Sequence, residues 1–224
     1  MNTETLSPAR ASTKVNRADV VRDYGPFAGA DCIHGVSFDG QNVWAATGAV
    51  LVAFDPHSGE PVRTLAVPCD AGTAFDGTHL YQIAEARIDK IDPRTGEVLS
   101  SIPAPGAGID SGMAWAEGSL WVGQYRQRKI HQIDPANGAI LRTIESDRFV
   151  TGVTWVDGEL WHATGEGDES DIRHIDPETG EVLERLQMPD GISVSGLEAD
   201  GGELFYCGGG RSGRVHAVKR PRAR

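Results

Sequence analysis

The chain has 224 residues, 39% hydrophobic and 24% charged, with a formal net charge of −11. That balance argues against a nucleic-acid partner, because phosphate binding draws on clustered Lys and Arg. No run reaches the roughly 20 apolar residues of a membrane helix, and three cysteines (Cys32, Cys69 and Cys207) without an export signal point away from a disulfide framework and toward a cytoplasmic setting.

From the N-terminus, residues 1–16 are polar and rich in Ser, Thr and Ala, and read as a disordered lead. Residues 18–27, "ADVVRDYGPF", alternate in the manner of a strand. Four related units follow over about 31–67, 68–104, 108–145 and 148–188. Each carries a copy of one turn: "FDPHSGEPV", "IDPRTGEVL", "IDPANGAIL" and "IDPETGEVL". Pro presets φ for such a turn and Gly supplies a positive φ. A second landmark precedes each turn: "FDGQNVW", "FDGTHLY", "WAEGSLW" and "WVDGELW", with a fifth version, "EADGGELFY", after the last copy. This is hairpin grammar.

Each unit therefore predicts four short antiparallel strands at a period near 40, the signature of a propeller blade. The fifth unit, about 192–219, stops after three strands, which would leave an open edge. The segment 18–27 is the natural donor of the missing strand. The fold predicted is all-β: a five-bladed β-propeller of four-stranded antiparallel blades, one domain over 17–219, closed by an N-terminal strand. Residues 220–224 read as a basic tail on an acidic body.

The five innermost strands align on a glycine: "CIHGVSF", "CDAGTAF", "IDSGMAW", "FVTGVTW" and "SVSGLEA". Crowding at a narrow axis accounts for Gly35, Gly72, Gly112, Gly152 and Gly196. Before them stand His34, Ala71, Ser111, Thr151 and Ser195. Cys32 and Cys69 share the parity of His34, so two thiolates and an imidazole form a candidate set for a zinc-like divalent metal. His34 is also the leading acid–base candidate, titrating near neutrality. The second-strand ends add Glu85, Gln124, Tyr125, Arg126 and His162 to the same mouth, and Arg128 and Arg211 to its rim loops. Trp44, Tyr81, Trp121, Trp161 and Phe205 recur at one repeat position and read as inter-blade core. Trp44, Tyr81, Trp161 and Tyr206 are also candidate substrate contacts, with Ser111, Thr151 and Ser195. His131 and His216, on third strands, read as solvent-facing.

"LWVGQYRQRKIHQIDPANGAI", "LWHATGEGDESDIRHIDPETGEVL" and "LYQIA" resemble blades of the glutamine cyclotransferase family, a five-bladed propeller. More weakly, the repeats over about 30–218 resemble the streptogramin B lyases, which are longer, seven-bladed and metal-dependent. The resemblance implies an enzyme acting at the channel mouth. Where that family carries Glu after the second-strand aromatic, this chain has Ala45 and His162, so glutaminyl cyclisation itself is not expected.

Two functions are thus expected to compete. One is a small-molecule enzyme of lyase, cyclase or hydrolase type, with His34, His162 and Glu85 as catalytic groups and a metal as possible helper. The other is a non-catalytic module whose rim recognises a peptide or protein partner. In either case a monomer without membrane contact is expected.

Overall fold

A computed structural model describes residues 13–221. Blade one holds β3 (Gly35–Phe38), β4 (Val43–Ala46), β5 (Leu51–Phe54) and β6 (Pro61–Leu65), after β1 (Lys14–Arg17) and β2 (Val20–Tyr24). Blade two holds β7 (Thr73–Phe75), β8 (Leu80–Ala84), β9 (Arg87–Ile91) and β10 (Val98–Pro103). Blade three holds β11 (Asp110–Ala116), β12 (Ser119–Gln124), β13 (Lys129–Ile133) and β14 (Ile140–Glu145). Blade four holds β15 (Val150–Val156), β16 (Glu159–Glu166), β17 (Glu169–Ile175) and β18 (Val182–Gln187). Blade five holds β19 (Gly196–Ala199), β20 (Leu204–Gly208) and β21 (Val215–Lys219). Its fourth strand is β2, paired antiparallel with β21 from Val20 opposite Val218 to Tyr24 opposite Val215. The five-bladed propeller and its N-terminal closure are as expected. No helix of the described residues is long and apolar enough to cross a membrane.

The lead is shorter than expected. Residues 14–16, assigned to it with the polar N-terminus, join Arg17 to form β1, which runs parallel to β18 as a fifth strand of blade four. The pairing rests on Glu184, which receives the Lys14 ammonium at 2.7 Å and the Asn16 amide at 2.6 Å. Residues 1–12 and 222–224, where the rest of the lead and most of the basic tail were placed, lie outside the described residues.

The repeated Asp-Pro turns latch neighbouring blades. Gly59 packs toward Tyr24, Gly96 toward Leu65, Gly138 toward Pro103 and Gly180 toward Ile144, each at the end of the preceding blade's outer strand. Blade five has no such turn because its third and fourth strands come from opposite ends of the chain. Ala18 takes the vacant place: its N–H donates to the Gln187 carbonyl at 2.8 Å, and its side chain packs beside Leu186 and Met188.

A second repeated tie joins third strands to fourth. Ser101 donates to Asp89 at 2.6 Å, His131 meets Thr143 at 2.8 Å, and His216 meets Asp23 at 2.6 Å. His131 and His216 are therefore buried, not solvent-facing, because this position lies against the outer strand. In blade five the tie crosses from the C-terminal strand to the N-terminal one.

Candidate functional site

Call top the face that carries the turns between second and third strands. Its channel is sealed from below by the glycines. A Cβ on Gly35 would stand within 3.0 Å of the Gly72 backbone, one on Gly72 would meet Gly112, and the series continues through Gly152 and Gly196 back to Gly35. Adjacent inner strands are thus in backbone contact all round the ring. Even β11 and β19, two blades apart, approach within 8 Å. No side chain larger than hydrogen fits at this level.

Above the seal two of the three candidate hydroxyls are spent on structure. Ser111 donates to the Val150 carbonyl at 2.7 Å, tying blade three to blade four. Ser195 donates to the Ile33 carbonyl and accepts the Gly210 N–H at 2.9 Å, tying blade five to blade one. The Thr151 hydroxyl is buried without a partner. His34 is half-buried at the mouth, its N–H on the Ala46 carbonyl at 2.8 Å and its ring edge toward Gly48.

Other candidates lie elsewhere than the repeat pattern suggested. His162 is buried inside blade four, where desolvation and the nearby Arg173 charge lower its pKa to about 4. A histidine that stays neutral and dry is a core residue, not an acid–base group at the mouth. Because the unfolded chain binds the proton first, the stability His162 contributes is full above about pH 6.5 and is lost as pH falls toward 4. The margin of the wild type over His162→Gln should therefore shrink by about 3 kcal/mol across that window, read as the pH slope of Tm. A constant margin would show that His162 is not held neutral. Glu85 is exposed on the top turn of blade two, where its N–H donates to the Asp70 carboxylate at 3.0 Å beside the start of the inner strand.

Cys32, Cys69 and His34 do not form a metal set. Among the described residues no group of three or more His, Cys, Asp or Glu side chains could hold a metal ion. Cys69 is fully buried among Trp44, Ala46 and Leu51, and burial raises the pKa of its thiol. Burial also raises that of Cys32. The Cys69 thiol serves as a small apolar filler, whereas the half-buried Cys32 thiol points to the Ile33 carbonyl at 3.7 Å.

What the top face does expose is a rim patch on blades three and four. Tyr125 packs on Phe149 with ring centroids 4.7 Å apart, and the Arg128 guanidinium lies 4.8 Å over the Phe149 ring. Arg128 also bonds Glu166 at 2.7 Å. Ile109 and Arg126 are exposed beside them. Between patch and channel, burial raises the pKa of Asp110, which accepts the Gly106 N–H at 2.9 Å and the Gln124 amide at 3.4 Å.

Residues 84–222, more than half of the chain, match the family described as outer membrane protein assembly factor BamB, PQQ_2. The chain belongs to the BamB family. No curated protein matches the chain in sequence. Among solved structures, a glutaminyl cyclase of Myxococcus xanthus superposes with a TM-score of 0.77 at 17% identity, over 93% of this chain and 98% of that one. The WD40 propeller domain of Doa1 gives 0.55 at 15% identity, over 85% of this chain and 64% of that one. The propeller domain of Myceliophteria thermophila Cps50 (Swd1) gives 0.51 at 15%, over 84% and 83%. At these identities the likeness is one of fold. The resemblance to glutamine cyclotransferases holds at that level.

Below the seal, this BamB-family propeller carries a feature that the repeat alignment hid. Opposite each second-strand aromatic stands the inner-strand residue two past the glycine: Ser37 faces Trp44, Ala74 faces Tyr81, Ala114 faces Trp121, Thr154 faces Trp161 and Glu198 faces Tyr206. The fifth aromatic is thus Tyr206, not Phe205. The extra glycine in "DGGEL" shifts blade five by one residue. Phe205 instead fills the seam against Trp161 at 5.1 Å, opposite Ala199 on β19. Trp44, Tyr81, Trp161 and Tyr206 are all buried in blade seams and do not line the mouth.

Four small residues and one Glu share that inner ring. Glu198 keeps part of its surface open, yet its carboxyl lies between inner strands. It accepts Thr154 at 2.6 Å, the Ala199 N–H at 2.9 Å and Ser37 at 3.3 Å. Desolvation outweighs these bonds and lifts its pKa to about 7.

Proposed function

We propose that the protein is a recognition propeller that binds a peptide or protein partner on its top rim. The observation that carries this reading is the glycine seal, together with the Ser111 and Ser195 hydroxyls above it, already bonded between blades. They leave the mouth shallow, and the exposed chemistry sits on the rim as Tyr125, Phe149, Ile109, Arg126 and Arg128. Aromatic and Arg side chains of this kind are the common anchors of protein interfaces. The family description, which names an assembly factor, agrees with such a role, and so does the likeness to WD40 domains.

Selection of a phage-displayed peptide library on the protein tests it. Bound peptides should lose about tenfold or more in affinity on Tyr125→Ala or Arg126→Ala. Peptides indifferent to both substitutions would move the binding surface elsewhere. A small-molecule enzyme at the mouth is the second reading, favoured by Asp110, whose pKa burial raises above the ordinary carboxylate value, and by the His34 imidazole at the mouth. Turnover of a small molecule lost in Asp110→Asn with rim binding unchanged would favour it.

A further inference from the structure

We propose that Glu198 is a protonation switch on ring closure: its neutral carboxyl clasps blade five to blades four and one, and its ionisation loosens that blade. Among the described strands, only blade five draws from both ends of the chain. Glu198 sits at its inner edge and is bonded on one side by Thr154 of blade four and on the other by Ser37 of blade one. A single side chain therefore spans both seams of the closing blade. Its hydrogen-bond partners are two hydroxyls and one amide. A hydroxyl can donate to a carboxylate or accept from a carboxylic acid, so the cluster is satisfied in either charge state. Desolvation decides between them and favours the neutral acid.

Among the described residues, no cation on the strands packed against β19 offsets the ionised form. Of the elements packed against β19, strands β3 and β15 carry no charged side chain. From β20 come only Tyr206 and Cys207, both kept neutral by burial. From β11 comes Asp110, on the other side of the glycine seal. From β16 come Glu159, bonded to the Trp161 indole, His162, neutral, and Glu166, bonded to Arg128. An uncompensated carboxylate in such a place is strongly disfavoured. Opening of the blade to water relieves it.

The sign follows from linkage. The closed state holds the proton up to about pH 7, whereas an opened Glu198 releases it at the ordinary 4.5. Opening is therefore promoted about tenfold for each pH unit from 4.5 to 7, about 300-fold in all, and no further above 7. His162 contributes an opposite slope below pH 6.5, so only a comparison with the single variant isolates Glu198.

The test is hydrogen exchange of β19 and β2 amides in the full chain between pH 4.5 and 8.5, corrected for intrinsic exchange rates. The ratio of opening in the wild type to opening in Glu198→Gln should climb about tenfold per pH unit and level off near 7. Parallel profiles would overturn the proposal. A carbon-13 carboxyl titration of the wild type needs no variant: a Glu198 midpoint near 7 supports the switch, and one at an ordinary 4.5 removes it.

Discussion

Gly112→Val should leave no cooperative thermal transition. The added Cβ would fall within 3.0 Å of the Gly152 carbonyl carbon and the Val153 nitrogen, both backbone atoms of the next inner strand. A flexible side chain could give way, but a strand hydrogen-bonded into its own blade cannot. The displacement would also pass round a closed ring, since every glycine of the five abuts the next. A loss of about 4 kcal/mol or more, at the diagnostic end for a single substitution, would consume most of the stability of an ordinary domain. Gly165→Ala is the control. Its Cβ would meet Thr151 at 3.4 Å, an ordinary contact, at a position without positive φ. A Gly112→Val protein that melts like the control would mean that the inner strands stand further apart than described.

Deletion through Tyr24 should be as damaging. It removes β2 and with it the outer strand of blade five, Asp23 from His216, and the Tyr24 ring that packs 4.8 Å from Phe54 of blade one. The bared β21 would present unpaired amides and carbonyls, an invitation to aggregate. Deletion through Arg17 removes only β1, whose anchors are Lys14 and Asn16 on Glu184, and should lower Tm by a few degrees. A cooperative transition surviving the longer deletion would show that closure does not depend on β2.

The architecture was legible because its signals are repeated. Four Asp-Pro turns and five glycine-centred strands each restate the same blade, and the absent fifth turn predicted closure by the N-terminus. The site was less legible, for two physical reasons. Whether a strand residue faces a channel or a seam depends on twist and register, which a repeat pattern does not give. Hence His162 read as a mouth residue and proved buried. The second reason is the single inserted glycine among Gly201 and Gly202, which moved Tyr206 into the aromatic ring in place of Phe205. The signal for Glu198 was present all the same: a glutamate at a position that holds Ser, Ala, Ala and Thr in the other blades. β1 escaped because residues 14–16 carry one apolar residue, Val15, left exposed, and its side-chain anchor is one distant carboxylate, Glu184.

The closing ladder also sets how the ring responds to force. β2 and β21 are antiparallel, and the ends that lead toward the termini, Val20 and Lys219, lie at the same end of the pair. Tension applied through residues flanking that end loads its hydrogen bonds one after another, as in opening a zip, instead of all at once. A clasp that resists heat through burial and cross-seam bonds would therefore yield to a weak pull. In an optical trap the first extension step should come from blade five at low force, with the other four blades still folded.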